Sequence, residues 1–194
     1  MTPFAQNLTS RRATRWLTLC GLLLTSAALL SGCFMLEPRQ KVGRLAPKLT
    51  IDKWFQAPHG ARADWLNLKG QVVVLNFWEP WDDGSIKALP HLNALARRYE
   101  PLGNSVKFIH VTTEASTDTL TKFTDTIPIR GWIAMDPDRT VVTTFGVHEY
   151  PVTWLVNGEG KVIAITKPQY VTEDVINAII EGRSEVPIDE GFIN

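Results

Sequence analysis

Val72-Val73-Val74-Leu75-Asn76-Phe77 is the segment that most narrows what this chain can become. An apolar run that does not alternate is not a strand with one wet face; it reads as a strand covered on both faces of a sheet. Such a strand needs helices above and below it. Ser85 to Tyr99 supplies one, with Ile86, Leu89, Leu92, Leu95 and Ala96 sharing a face at helical spacing. Pro90 lies inside it, where a kink is expected. Strand and helix are joined through Trp78-Glu79-Pro80-Trp81-Asp82-Asp83-Gly84-Ser85.

The rest of the chain continues the alternation. Thr50 to Phe55 reads as an early strand, and Val106 to Val111 as another. Thr117 to Ile127 suits a helix with Leu120 and Phe123 inward. Gly131 to Met135 is a short strand, and Arg139 to Phe145 a short helix stopped by Gly146. Val152 to Val156 and Lys161 to Thr166 form a hairpin around the turn residues Asn157-Gly158-Glu159-Gly160. Thr172 to Glu181 closes as a helix, with Thr172 as N-cap and Gly182 as stop. Strands alternating with helices, then a hairpin and a last helix, predict an α/β fold with a mixed central sheet flanked by helices on both faces.

The start of the 194-residue chain is not part of that fold. Arg11, Arg12 and Arg15 precede an apolar stretch from Trp16 to Leu30, shorter than the ~20 residues of a spanning helix. Leu30-Ser31-Gly32-Cys33 follows. This order resembles a bacterial lipobox, which implies cleavage before Cys33 and lipid on that cysteine. Residues 1–32 are then a lipoprotein signal peptide, 33–48 a lipidated tether, 49–182 the folded domain and 183–194 a polar tail. Phe34, where many inner-membrane lipoproteins carry Asp, points to an exported protein held at the outer membrane and facing the periplasm. The alternative is an uncleaved anchor helix. With the first 32 residues removed, 17 basic residues face 20 acidic ones. A mildly acidic chain without a basic patch has no electrostatic basis for binding nucleic acid.

The segment from Val72 to Ser85 resembles the thioredoxin-like TlpA/ResA family, whose members run from such a strand through Trp-x-x-Trp into Cys-x-x-Cys. Phe145-Gly146-Val147-His148-Glu149-Tyr150-Pro151-Val152-Thr153 resembles the same family's Gly-Val-x-x-x-Pro-Thr stretch. The resemblance covers about residues 45–182. It implies a thioredoxin-like fold, a cis bond at Tyr150–Pro151 facing the helix start, and thiol–disulfide chemistry. The residues depart from that chemistry. Asp82 and Ser85 stand where the two cysteines belong, and Ala88 stands where ResA-like proteins carry an acid. The chain's two cysteines are Cys20, inside the signal, and Cys33, the lipid site. Thiol exchange needs an attacking thiolate, and residues 34–194 contain none.

What a site without sulfur does is left between two readings. Asp82 suits a helix N-cap on structural grounds alone, and both Asp82 and Asp83 gain from the helix dipole by about 0.3–1 kcal/mol each when exposed. The other reading makes Trp81, Asp82, Asp83, Tyr150 and Pro151 a face that binds a polypeptide partner, with the Tyr150 backbone pairing to an extended chain. Trp81 is read as a contact residue, Trp78 as core, and Asn76 as a local hydrogen-bonding group. Metal carriage is the least favoured alternative: the soft ligands that select copper(I) are absent, Asp82 and His148 make a poor pair, and His59, His91 and His110 lack ligand-like spacing. The expectation is a lipid-anchored, non-redox thioredoxin-fold adaptor or assembly factor without catalytic residues, metal or cofactor. The alternative is a thiol–disulfide oxidoreductase that draws its thiol from elsewhere.

Overall fold

The computed structural model of the chain describes residues 42–183. They belong to one compact unit. The signal peptide, Cys33 and the tail from residue 184 onward lie outside the described residues.

Six strands form one sheet: β1 (Lys53–Gln56), β2 (Val72–Phe77), β3 (Val106–Thr112), β4 (Trp132–Met135), β5 (Val152–Val156) and β6 (Val162–Thr166), in the order β1-β4-β3-β2-β5-β6. β2, β3 and β4 run parallel. β5 pairs antiparallel to β2, β6 to β5, and β1 to β4. Every residue of β2 is buried, as its apolar run requires. Alternate side chains serve opposite faces because the strand repeat is two. Val73, Leu75 and Phe77 join Val141, Val142 and Phe145 on one side. Val72 and Val74 join Leu92, Leu95, Ala96, Val175 and Ile176 on the other.

Among the described residues, four α-helices cover these faces: α1 (Asp83–Tyr99), α2 (Thr117–Thr126), α3 (Thr140–Phe145) and α4 (Glu173–Ile180). Each begins where a side chain satisfies otherwise unpaired N–H groups. Ser116 Oγ accepts from Thr119 N–H at 3.1 Å and Thr172 Oγ1 from Val175 N–H at 3.3 Å. α3 uses Asp136 instead. Its two carboxylate oxygens accept from the N–H groups of Val141 and Val142 at 3.0 and 2.9 Å. Burial pushes the Asp136 carboxyl up, and these two bonds oppose the push. Gly146, at φ 63°, ends α3 and releases the chain toward Tyr150. α1 remains one helix of 17 residues through Pro90, so the expected kink site interrupts the hydrogen-bond ladder without ending the helix.

Residues 43–46, upstream of Leu49, hydrogen-bond to the hairpin. Gly43 N–H donates to the Val162 carbonyl at 2.7 Å, Val162 N–H to the Arg44 carbonyl at 2.8 Å, and Ala46 N–H to the Gly160 carbonyl at 2.8 Å. β6 lies at the edge of the sheet, and residues 43–46 pair with Val162 at its start and with Gly160 just before it. Their Pro, Gly and charged neighbours read as a linker because edge pairing leaves no hydrophobic period in the sequence.

Candidate functional site at the start of the first helix

β2 ends by handing the chain to α1 through a tight turn. Trp78 N–H donates to the Val111 carbonyl at 3.0 Å, extending the pairing with β3 by one residue. The Trp78 side chain is fully buried, tilted against Phe123 with ring centres 5.2 Å apart. The expected core role is what the structure shows. The turn then closes: Asp82 N–H donates to the Glu79 carbonyl at 3.2 Å, and Glu79 N–H donates to Ser85 Oγ at 3.2 Å.

Asp82 is the N-cap of α1. Its backbone is extended (φ −95°, ψ 118°), its Oδ1 accepts from Ser85 N–H at 2.6 Å, and its carbonyl accepts from Ile86 N–H at 3.0 Å. Asp83 follows in the first turn and is exposed. Ser85, three residues after Asp82, is buried, and Ala88 is at the edge of burial at 9 % exposure. A helix N-terminus carries about half a positive charge. In a redox site that charge favours a thiolate. Here it is met by the Asp82 carboxylate, which accepts the Ser85 N–H bond.

The second loop arrives at the same place. The Tyr150–Pro151 bond is cis, as the resemblance implied. Pro151 is buried against Gly84: a Cβ built at Gly84 would sit 3.1 Å from Pro151 Cδ and 3.3 Å from Asp82 Oδ1. A glycine there lets the loop and the cap share one side of the helix start. Trp81 is 69 % exposed, and Tyr150 meets it edge-on, with centroids 6.3 Å apart and planes at 88°. The structure therefore brings Trp81, Asp82, Tyr150 and Pro151 together, with Asp83 exposed alongside.

Beneath this surface lies a residue that sequence reasoning passed over. Glu79 is 0 % exposed. Its carboxylate accepts from Thr112 Oγ1 at 2.8 Å, Thr113 N–H at 2.9 Å and Thr113 Oγ1 at 2.6 Å. The Tyr150 phenol is pushed up, first by burial and then by the Glu79 charge, while Arg139 opposes the shift. Glu79 and Arg139 act on that phenol through their charges, but its oxygen is buried without a hydrogen bond of ordinary geometry. A glutamate in a turn reads as solvated; the one signal for its burial is the Thr112-Thr113 pair, and that becomes meaningful only once β3 lies beside β2.

The histidines fall elsewhere. His59 and His148 are exposed, and His91 Nε2 donates to the Val171 carbonyl at 2.7 Å. His110 is buried on β3 next to Asn76 on β2. Its Nε2 lies 3.0 Å from the Arg130 carbonyl, which only accepts, so Nε2 carries the proton and Nδ1 faces Asn76 Nδ2 at 3.4 Å. Thr153 Oγ1 donates to Asn76 Oδ1 at 3.0 Å. Asn76 thus links three strands by hydrogen bonds. Burial drives the His110 pKa down to about 4, with the Arg130 bond opposing. Among the described residues, no group of three or more His, Cys, Asp or Glu side chains is placed to hold a metal ion.

A parallel-cored sheet with helices on both faces, and a Pro loop packed on the start of the helix after its central strand, defines a thioredoxin-like protein. Comparison with known proteins agrees. The AhpC/TSA family pattern matches residues 42–165, and the chain belongs to that family. It is 28% identical over 149 residues to the thiol-disulfide oxidoreductase ResA of Bacillus subtilis (strain 168), covering 72% of this chain and 82% of the relative. It is 26% identical over 159 residues to the protein of the same name in Bacillus thuringiensis subsp. konkukian, covering 82% and 87%. In fold it is similar to a putative protein disulfide isomerase from Bacteroides thetaiotaomicron, with a TM-score of 0.61 at 19% identity over 72% of this chain and 90% of that one. A thioredoxin domain of a thiol-disulfide oxidoreductase from Bacteroides vulgatus gives 0.58 at 19% identity, over 73% and 96%.

Proposed function

We propose that this protein is a non-redox, polypeptide-binding member of its family, tethered to the cell envelope by lipid on Cys33 and facing the periplasm from the outer membrane. The observation that carries the reading is the pairing of Trp81 with Tyr150, the residue before Pro151, at a site whose nucleophile position holds a capping carboxylate. An exposed tryptophan beside a tyrosine gives a large, rigid, amphipathic contact surface of the kind enriched where proteins meet. Asp82 and Ser85 cannot form a disulfide. The oxidoreductase names of the relatives describe proteins whose chemistry needs thiols, and residues 42–183 of this chain contain no cysteine.

The test uses the purified protein cleaved at Cys33 and an unfolded probe, S-carboxymethylated α-lactalbumin. The probe is expected to shift the Trp81 indole resonance, and Trp81→Ala to weaken binding by about tenfold or more, as for a central aromatic contact. Insulin reduction is expected to stay at the buffer rate. Turnover by the isolated protein, or probe binding indifferent to Trp81, overturns the reading. The anchoring part is checked separately by labelling cells with radioactive palmitate; label retained in Cys33→Ala refutes it.

A further inference from the structure

The geometry assigns to Glu79 the role of a positioning residue that holds the Trp81–Tyr150 surface in register with the end of β3. This deepens the polypeptide-binding reading by naming what sets that surface, and the ring contact itself can be measured with no polypeptide present.

Glu79 is tied in two directions. Its backbone N–H and carbonyl bond to Ser85 Oγ and Asp82 N–H, at the start of α1. Its carboxylate reaches across to Thr112 and Thr113, where β3 ends, through three hydrogen bonds of 2.6–2.9 Å. The turn that presents Trp81, two residues on, is therefore clamped from inside to a neighbouring strand. Tyr150 comes from a third segment, and its buried oxygen lies within the influence of the Glu79 charge. A fully buried carboxylate is costly unless its oxygens are satisfied. Joining the end of one strand alone would not require a charge: an amide or a water could accept from Thr113 N–H. A charge accepting from two hydroxyls and an N–H makes stronger, shorter bonds than a neutral acceptor, and it acts at the same time on the Tyr150 phenol.

The test compares wild type with Glu79→Gln, Glu79→Ala and Thr113→Val. The contact is read as the nuclear Overhauser effect between the Trp81 and Tyr150 rings. The Tyr150 titration is read at 295 nm by difference against Tyr150→Phe, and probe affinity is read with carboxymethylated α-lactalbumin. Both Glu79 variants are expected to weaken the ring contact. Glu79→Gln is expected also to lower the Tyr150 pKa, because the charge that raises it is gone, and to reduce probe affinity about fivefold or more. Thr113→Val removes one donor to the intact carboxylate and is expected to weaken the contact partially. A folded Glu79→Gln with unchanged ring contact and unchanged Tyr150 titration overturns the proposal. If both Glu79 variants fail to fold, an unchanged contact in Thr113→Val overturns it instead. A contact that depends on Glu79 in a protein that binds no probe supports the positioning role and removes the polypeptide-binding reading.

Discussion

Lowering the pH from 7 to 4.5 should cost this fold stability through His110, by an amount that follows from its burial. The residue is 1 % exposed and held neutral, with its folded pKa near 4 against an ordinary value of 6.5. The sign follows from which state takes the proton first. Below pH 6.5 the unfolded chain protonates His110 while the folded chain does not, so stability falls. Below about pH 4 both states are protonated and the loss stops growing. At pH 4.5 the unfolded state is favoured by protonation roughly 75-fold relative to the folded one, which is on the order of 2–3 kcal/mol. Other groups titrate over the same range, so the measurement is a difference. Urea unfolding of wild type and His110→Gln at pH 7, 6, 5.5 and 4.5 isolates the term, because glutamine can accept from Asn76 and donate to the Arg130 carbonyl without titrating. Wild type is expected to lose about 2–3 kcal/mol more than the variant between pH 7 and 4.5. A wild-type-minus-variant difference that stays flat across that range refutes the argument that desolvation governs this histidine.

Three further variants test the site. Asp82→Ala removes the bond to Ser85 N–H and should destabilise the protein by about 1 kcal/mol, seen as a fall in Tm of roughly 3 °C. Asp82→Asn keeps an oxygen cap and should lose only a few tenths of that, with added salt shrinking the difference. The double substitution Asp82→Cys/Ser85→Cys places two thiols at the cap and third helical positions of α1; it should gain insulin-reduction activity over wild type. An inactive, folded double variant would show that two thiols at these positions are not enough for that chemistry on this scaffold.

Much of the fold is legible in the sequence, for identifiable reasons. The β2 run, the α1 periodicity, the Asn157–Gly160 turn and the Thr172 cap are local signals, set by burial period and by which side chains satisfy a helix end. The strand edge at residues 43–46 was not legible, because backbone pairing to β6 places no demand on side-chain type. The site divides the same way. Trp81, Asp82, Tyr150 and Pro151 are recognisable from their motifs, and the structure brings them together. Asp82 is observed as a cap, a role the sequence had left level with partner binding.

The composition alone determined one chemical fact: the chain from residue 34 onward has no cysteine, so its own residues there supply no thiolate. Only the tertiary structure decided where its charges go. Glu79 is a turn residue in sequence and a buried, triply bonded carboxylate in space because β3 ends beside it with two threonines. His110 is an ordinary strand residue until Asn76 and the Arg130 carbonyl enclose it. Burial depends on which distant segments arrive at one place, and no local pattern records that.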